Sequence, residues 1–470
     1  MSDANTTPQA TPEGAGQASP EETGRATTKV TALHDLHAEL GARFTDFGGW
    51  DMPLRYGKEL EEHRAVRESA GVFDLSHMGE VRITGPDAAA FLDHALISRI
   101  SAVAVGKAKY SMICDADGGI IDDLIVYRLG DEEFLVVPNA GNAPTVVAEL
   151  HSRRGGGAFD CAIADETLET ALIAVQGPRA EEIVAAVVVP AGGLDGDSDA
   201  AATSDGASGD AAPTVAGLGY YAALPGVIRA GDGAGEGGPG DGTDIPVLLA
   251  RTGYTGEDGF EIFVANDGAR ATWDAVMAAA AQLGAGAADG SGDSDGRADS
   301  DGSGDGLPVA VPCGLASRDT LRLEAGMPLY GNELSREVTP VDAGLGILAA
   351  TKSKPDFVGR DAIVEAKQSG PAKVLIALAG EGRRAARAGY PLVDADGTAI
   401  GEVTSGALSP TLGHPIALAY VDAEAGIAAG LLAADDPAKP TPIEGAAVSV
   451  DVRGKALPYV VVKPPFYTRP

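Results

Sequence analysis

The chain has 470 residues, enough for two to four domains, and its 44% hydrophobic and 22% charged residues are those of an ordinary soluble protein. A formal net charge of −33 disfavours nucleic acid and anionic membrane as partners, and no apolar run reaches the roughly 18–20 residues of a bilayer span. Cys114, Cys161 and Cys313 are widely spaced and odd in number, which points to reduced thiols in a cytoplasmic protein rather than to disulfides or a zinc site.

Residues 1–28 are polar and carry Glu13, Glu21 and Glu22. They lack both the apolar core of a secretory signal and the basic character of a transit peptide, so they are expected to form a disordered tail. From 29 to 190 helices and strands mix irregularly. "GKELEEHRAVRESA" reads as an amphipathic helix, and "GEVRITG" as a strand with Val81 and Ile83 on one face. "GPDAAAFLDHAL" reads as a helix with Pro86 in its first turn. "KAKYSMIC" and "IIDDLIVYRL" are strands joined by the turn "DADGG", followed by a strand at "EEFLVVPN" and a helix at "APTVVAELHS". The order is that of an α+β fold rather than a regular βαβ array.

Stretches 191–213, 231–244 and 285–306 are rich in Gly, Ala, Ser and Asp and carry a net fourteen of the negative charges. Their composition cannot bury enough surface to offset ordering entropy, so they are expected to be flexible insertions. Between the first two, "APTVAGLGYYAALPGVIRA" regains aromatic and branched residues and is expected to join a sheet. A helix is predicted over 314–325, closed by Gly326. After Pro371 come short strands at close spacing, which suggest a small antiparallel barrel. The chain thus divides into a tail (1–28), a region of two interleaved α+β lobes (29–370) and a C-terminal barrel (371–470).

Three features carry possible chemistry. Asp122 and Asp123 lie adjacent inside a predicted strand, so their carboxylates point to opposite faces and one must enter the apolar side. The alternative is a strand that begins after Asp123 and leaves both in a polar turn. In "RTGYTGEDGFEIF" (251–263), three glycines offer a ligand close approach to the backbone, while Glu261 faces away from Phe260 and Ile262 as either a site residue or an exposed strand Glu. Arg318 and Arg322 share a helix face, and only Arg322 has an acid at helical spacing, Asp319. Arg318 is therefore free for a carboxylate, from a ligand or from a distant part of the chain. His34, His37 and His77 read as hydrogen-bonded structural residues.

"FGGWDMPLRYG", "GVFDLSHMGEV", "KAKYSMIC", "GGIIDDLIVYR", "VVPNAGN", "AVQGP", "ARTGYTGEDGFEIF", "GLASRDTLRLEAGMPLYGNEL", "TPVDAGLG" and "GEVTSGALSPTLG" follow one another in this order. On these segments the chain resembles the T-protein family of the glycine cleavage system, over about residues 30–467. The resemblance implies three lobes around a central hole that holds tetrahydrofolate, with the barrel as one lobe. It also implies transfer of a one-carbon unit from the aminomethyl-dihydrolipoyl carrier (H) protein to tetrahydrofolate, giving the 5,10-methylene derivative and ammonia without a metal. Residue by residue it makes Asp122 the catalytic carboxylate and Met78, Tyr110 and Asn139 pterin-site positions. Tyr254, Glu261 and Arg318 become folate-binding positions, and Tyr467, or Phe466 beside it, lies near the folate. Two relatives of the same fold imply other roles. The folate domain of sarcosine-type oxidases accompanies a flavin domain that nothing here resembles. A folate-binding accessory protein without transferase activity carries a "KGCYxGQE" pattern where this chain reads "GMPLYGNEL".

Overall fold

The computed structural model describes residues 28–191, 213–229, 244–289, 308–436 and 438–470. The expected tail and nearly all of the three expected insertions lie outside those residues. At the third, the helix Ala269–Asp289 runs past position 285 before the described chain stops.

Two sheets and a barrel organise the chain. A seven-stranded sheet has the order Val188–Pro190, Ala223–Ile228, Ile245–Ala250, Gly259–Ala265, Thr170–Gln176, Gly71–Asp74, Val311–Pro312. It is antiparallel except for the last pair. The island between the first two insertions supplies its second strand. A five-stranded antiparallel sheet has the order Ala108–Cys114, Ile120–Arg128, Glu133–Pro138, Val81–Thr84, Ala162–Asp165. The fold is α+β, as the sequence predicts. The expected helices form at Glu59–Glu68, Ala88–Ala95, Ala143–Arg154 and Leu315–Glu324, with Pro86 lying before the second of these instead of in its first turn.

Strand periodicity explains how the layers stack. In Thr170–Gln176, Ala171, Ile173 and Val175 join a core against the helices Ala180–Val187 and Ala269–Asp289, while Leu172 and Ala174 face the other sheet. In Ile120–Arg128, Leu124 and Val126 face the helices Ala88–Ala95 and Ala143–Arg154, while Ile125 and Tyr127 face inward. Both sheets are buried on two faces, giving helix, sheet, sheet and helix layers. All three cysteines are free and buried. No helix among the described residues is long and apolar enough to cross a membrane.

Strands Lys373–Gly380, Pro415–Asp422, Ala399–Leu408, Pro391–Val393, Ala447–Asp451 and Ala456–Val462 close into the C-terminal barrel. One of its contacts with the rest of the chain runs through Glu324, at the end of Leu315–Glu324. The fully buried Glu324 carboxylate accepts from Arg67 Nε at 3.1 Å and Nη2 at 2.9 Å. It also accepts from the barrel's Ser409 hydroxyl and from the Thr411 hydroxyl and backbone N–H at 2.8 and 3.0 Å. Arg67 Nη1 reaches Glu257 at 2.9 Å and the Thr255 carbonyl at 2.7 Å. Burial alone would raise the Glu324 carboxyl, but hydrogen bonds from His63 and Ser409 and the Arg67 charge hold it down at about 2.

Replacing Arg67 leaves a buried charge without its main counter-ion. Arg67→Met is expected to cost roughly 3–5 kcal/mol in urea unfolding at pH 7. A loss below about 1 kcal/mol would show that this junction contributes little to stability.

Candidate functional site

A cavity of about 220 Å³ lies between the two sheets, walled largely by apolar and aromatic side chains such as Leu75, Met78, Val137, Leu172 and Tyr254. Asp123, Asn139, Glu261 and Arg318 are its principal polar groups. No residue lining this cavity belongs to the barrel. It acts from outside: Ser405 accepts from Arg322 Nη2 at 2.8 Å, four residues along the helix from Arg318.

The doubled aspartate lies within the strand Ile120–Arg128, not in a turn before it, and the carboxylates do diverge. The cavity face belongs to Asp123, followed at period two by Ile125 and Tyr127. Asp122 shares the helix-facing side with Leu124 and is 0% exposed, so the expectation that it would reach the cavity is corrected by one register position. Its Oδ2 accepts from the Asn139 backbone N–H at 2.9 Å, and its Oδ1 from the Asn139 and Asn142 amides, each at 2.9 Å. Asp123 Oδ2 accepts from the Tyr110 hydroxyl at 2.9 Å, and Oδ1 from the Asn139 amide at 2.9 Å. Asn139 thus clamps both carboxyls from the turn between the strand Glu133–Pro138 and the helix Ala143–Arg154.

Burial pushes both carboxyls up, Asp122 to about 7 and Asp123 to about 6, and the Asp123 charge adds to the rise of Asp122. The two titrate as a pair that resists holding two charges. Burial favours the proton on Asp122, the higher of the two, and hydrogen bonding opposes it. Both Asp122 oxygens face N–H donors, which favour its ionised form, whereas Asp123 meets a hydroxyl that can reverse its bond. Of the two carboxyls, Asp123 is the one placed to exchange a proton with the cavity.

Glu261 is 9% exposed and sits on the inward face of Gly259–Ala265, whose Phe260, Ile262 and Val264 face the helices. It accepts from the Thr252 hydroxyl and, at 3.3 Å, from Tyr127. Arg318 has no ion pair and no side-chain hydrogen bond among the described residues; its guanidinium lies over the Tyr254 ring, 4.8 Å from the centroid. Burial lowers its pKa from the ordinary arginine value. The Tyr254 hydroxyl donates to the Pro328 carbonyl and so fixes the ring under the cation.

Two further expectations change. A Cβ built on Gly253 or Gly259 would stand 2.0 Å or 2.3 Å from the Gln176 amide, so an internal side chain already requires these glycines, and of the two only Gly253 also lines the cavity. Tyr467 does not line the cavity: its ring covers the Arg67 guanidinium at 4.0 Å, and Phe466 packs on the barrel side. Sequence reasoning also left out Phe47, His77, Tyr127 and Tyr221, all of which line the cavity. Tyr127 follows from period two once Asp123 is chosen. Tyr221 had no such signal, because a left-handed backbone (φ +55°) turns it inward.

Residues 33–196, 239–290 and 306–353 match the family described as the GCVT N-terminal domain, and residues 373–468 match the glycine cleavage T-protein C-terminal barrel domain. The chain is 58% identical to an aminomethyltransferase of Corynebacterium jeikeium, across 94% of this chain and 98% of the relative. It is 35% identical to an aminomethyltransferase of Bacillus subtilis, across 94% and 99%. A crystal structure of glycine cleavage system aminomethyltransferase T from Bartonella henselae is similar at TM-score 0.70 and 32% identity, covering 94% of this chain and 99% of that one.

The raised Asp123 pKa has a sign that can be checked. A carboxyl whose folded pKa exceeds its unfolded value stabilises the native state below the unfolded pKa, and that contribution is lost as pH rises through the folded value. Here the window runs from 3.8 to about 6. Asp123→Asn should therefore gain stability over the unsubstituted protein at pH 8, by about 1–3 kcal/mol relative to any difference at pH 4. Equal differences in denaturant unfolding at the two pH values would mean that Asp123 is already ionised at low pH.

Proposed function

The chain belongs to the glycine cleavage T-protein family of aminomethyltransferases, and from that premise we propose that its inter-sheet cavity seats the pterin of tetrahydrofolate, with Asp123 as the proton-relaying carboxylate. The observation that carries this reading is the placement of Asp123: half-buried, with its carboxyl raised to about 6, and facing a flat-walled cavity that also holds an unpaired guanidinium.

The cavity chemistry suits such a ligand. A pterin takes flat apolar and aromatic walls with a few polar groups for its ring nitrogens. Met78, Leu172 and Tyr254 supply the walls, and Asp123, Asn139 and Glu261 the polar groups. Arg318 is suited to the acidic benzoylglutamate end, since no protein carboxylate among the described residues neutralises it. In the reaction, the carrier's aminomethyl group loses its C–N bond as ammonia departs and its C–S bond as the one-carbon unit moves to folate, leaving the dihydrolipoyl thiol. Asp123 accepts or returns the proton that these steps exchange, and Tyr110 holds it in place. Asp122 acts through Asn139: its buried carboxylate fixes the amide that positions Asp123. The partner in this reading is the lipoyl carrier protein, and the setting is the cytoplasm.

Asp123→Asn keeps shape and hydrogen bonds but removes the exchangeable proton. Formation of methylenetetrahydrofolate from aminomethylated carrier should fall by roughly 10²–10⁴-fold while folate binding changes far less. Full turnover in this variant, with Asp122→Asn folded and inactive, would restore the catalytic role to Asp122.

Arg318→Ala should weaken tetrahydrofolate by about 1.5–3 kcal/mol, for monoglutamate and polyglutamate forms alike. Calorimetry that finds unchanged affinity would make the guanidinium structural.

A further inference from the structure

His77 lines the cavity, is 1% exposed, and forms no side-chain hydrogen bond or ion pair among the described residues. Its Nδ1 is sealed from solvent and unpartnered. Every other buried histidine in this part of the chain is engaged. His37 bonds to Asp74 at 2.9 Å and Tyr56 at 2.8 Å, and His63 bonds to Thr320 at 2.8 Å and Thr411 at 3.0 Å. Asp74, one of the two acids three residues from His77 in sequence, is occupied by Thr31, His37 and Ser76. What His77 does touch is Phe47, edge to face at 5.4 Å, at the tip of the hairpin Arg43–Phe47 and Trp50–Arg55 that also borders the cavity.

A buried polar nitrogen without a partner destabilises a fold, and native structures leave few of them. Placed on a ligand cavity, such a group has an evident use when the partner arrives with the ligand. Burial, reinforced by the nearby Arg318 guanidinium, keeps the ring neutral, with its pKa down at about 3. A neutral imidazole offers one N–H and one lone pair, which suits amide-like or anionic ligand groups without competing with Arg318 for charge.

We propose that His77 is a ligand-positioning residue, whose imidazole completes its hydrogen bonding with the folate seated beside Arg318. This rests on the folate reading of the cavity. It adds a polar contact from the turn after Gly71–Asp74, beside the hairpin tip at Phe47.

Three proteins test it: the unsubstituted chain, His77→Phe, which keeps an aromatic edge against Phe47, and His77→Gln, which restores a donor and an acceptor. Tetrahydrofolate binding would be measured by calorimetry under reducing conditions, alongside Tm and steady-state kinetics. His77→Phe should match or exceed the unsubstituted Tm, because an unsatisfied nitrogen is gone, yet bind tetrahydrofolate about tenfold more weakly. KM for folate should rise by a similar factor with kcat changed less than about threefold, and His77→Gln should recover most of the affinity. Unchanged affinity in His77→Phe overturns the proposal. So does a weakening that appears only together with a fall in Tm, and that His77→Gln does not rescue, since a structural role would produce it. If the unsubstituted protein fails to bind tetrahydrofolate, the folate reading falls first and this inference with it.

Discussion

Glu324 is the point on which the arrangement turns. It is a fully buried carboxylate that accepts from the first α+β region through Arg67 and His63, and from the barrel through Ser409 and Thr411. A buried ion is tolerated only when its lone pairs are met, so the helix that ends at Glu324 can sit in one place. That same helix carries Arg318 into the cavity and Arg322 onto Glu333, at 3.0 Å, and Ser405. The position of the cavity's unpaired cation is thus set at the far side of the helix, by contacts that face away from the ligand space.

The second constraint is the two-residue period of a strand. Because both sheets are covered on both faces, every strand residue is assigned either to a helix layer or to the space between the sheets. Polar residues on the inward face are paired with one another or face the cavity. Glu261, Tyr127 and Thr252 find one another; Asp123 finds Tyr110 and Asn139. Adjacent Asp122 and Asp123 cannot share a face, so the pair splits into one carboxylate held in the scaffold and one presented to the cavity. Asn139 bonds to both and couples the two sides of the sheet.

Much of this was legible in the residues. The helices and strands of the first region, the barrel strands and the isolated Arg318 all follow from periodicity, turn chemistry and charge spacing. What was not legible depends on which face of a strand is inward, since strand period fixes that two residues differ but not which one is buried. The choice of Asp122 rests on the resemblance alone, and Asp123 faces the cavity. The glycines of "RTGYTGEDG" show the same limit in another form: a missing Cβ signals close approach but not what approaches, and here it is Gln176. Tyr467 does not line the cavity, because the aromatic end of the chain packs on a cation, Arg67, that lies distant in sequence.

The barrel's exclusion from the cavity has a consequence for how sequence variation would be felt. Thr404, Ser405, Ser409 and Thr411 meet Glu333, Arg322 and Glu324, which lie on or just beyond the helix that bears Arg318. A polar-to-apolar drift in these four barrel positions would tilt that helix without altering a single wall residue. Its signature would be a detuned site with intact lining, a lesion invisible to any inventory of ligand contacts. In this fold the barrel works as a tuning peg: it never sounds the note, but it sets the tension of the helix that does.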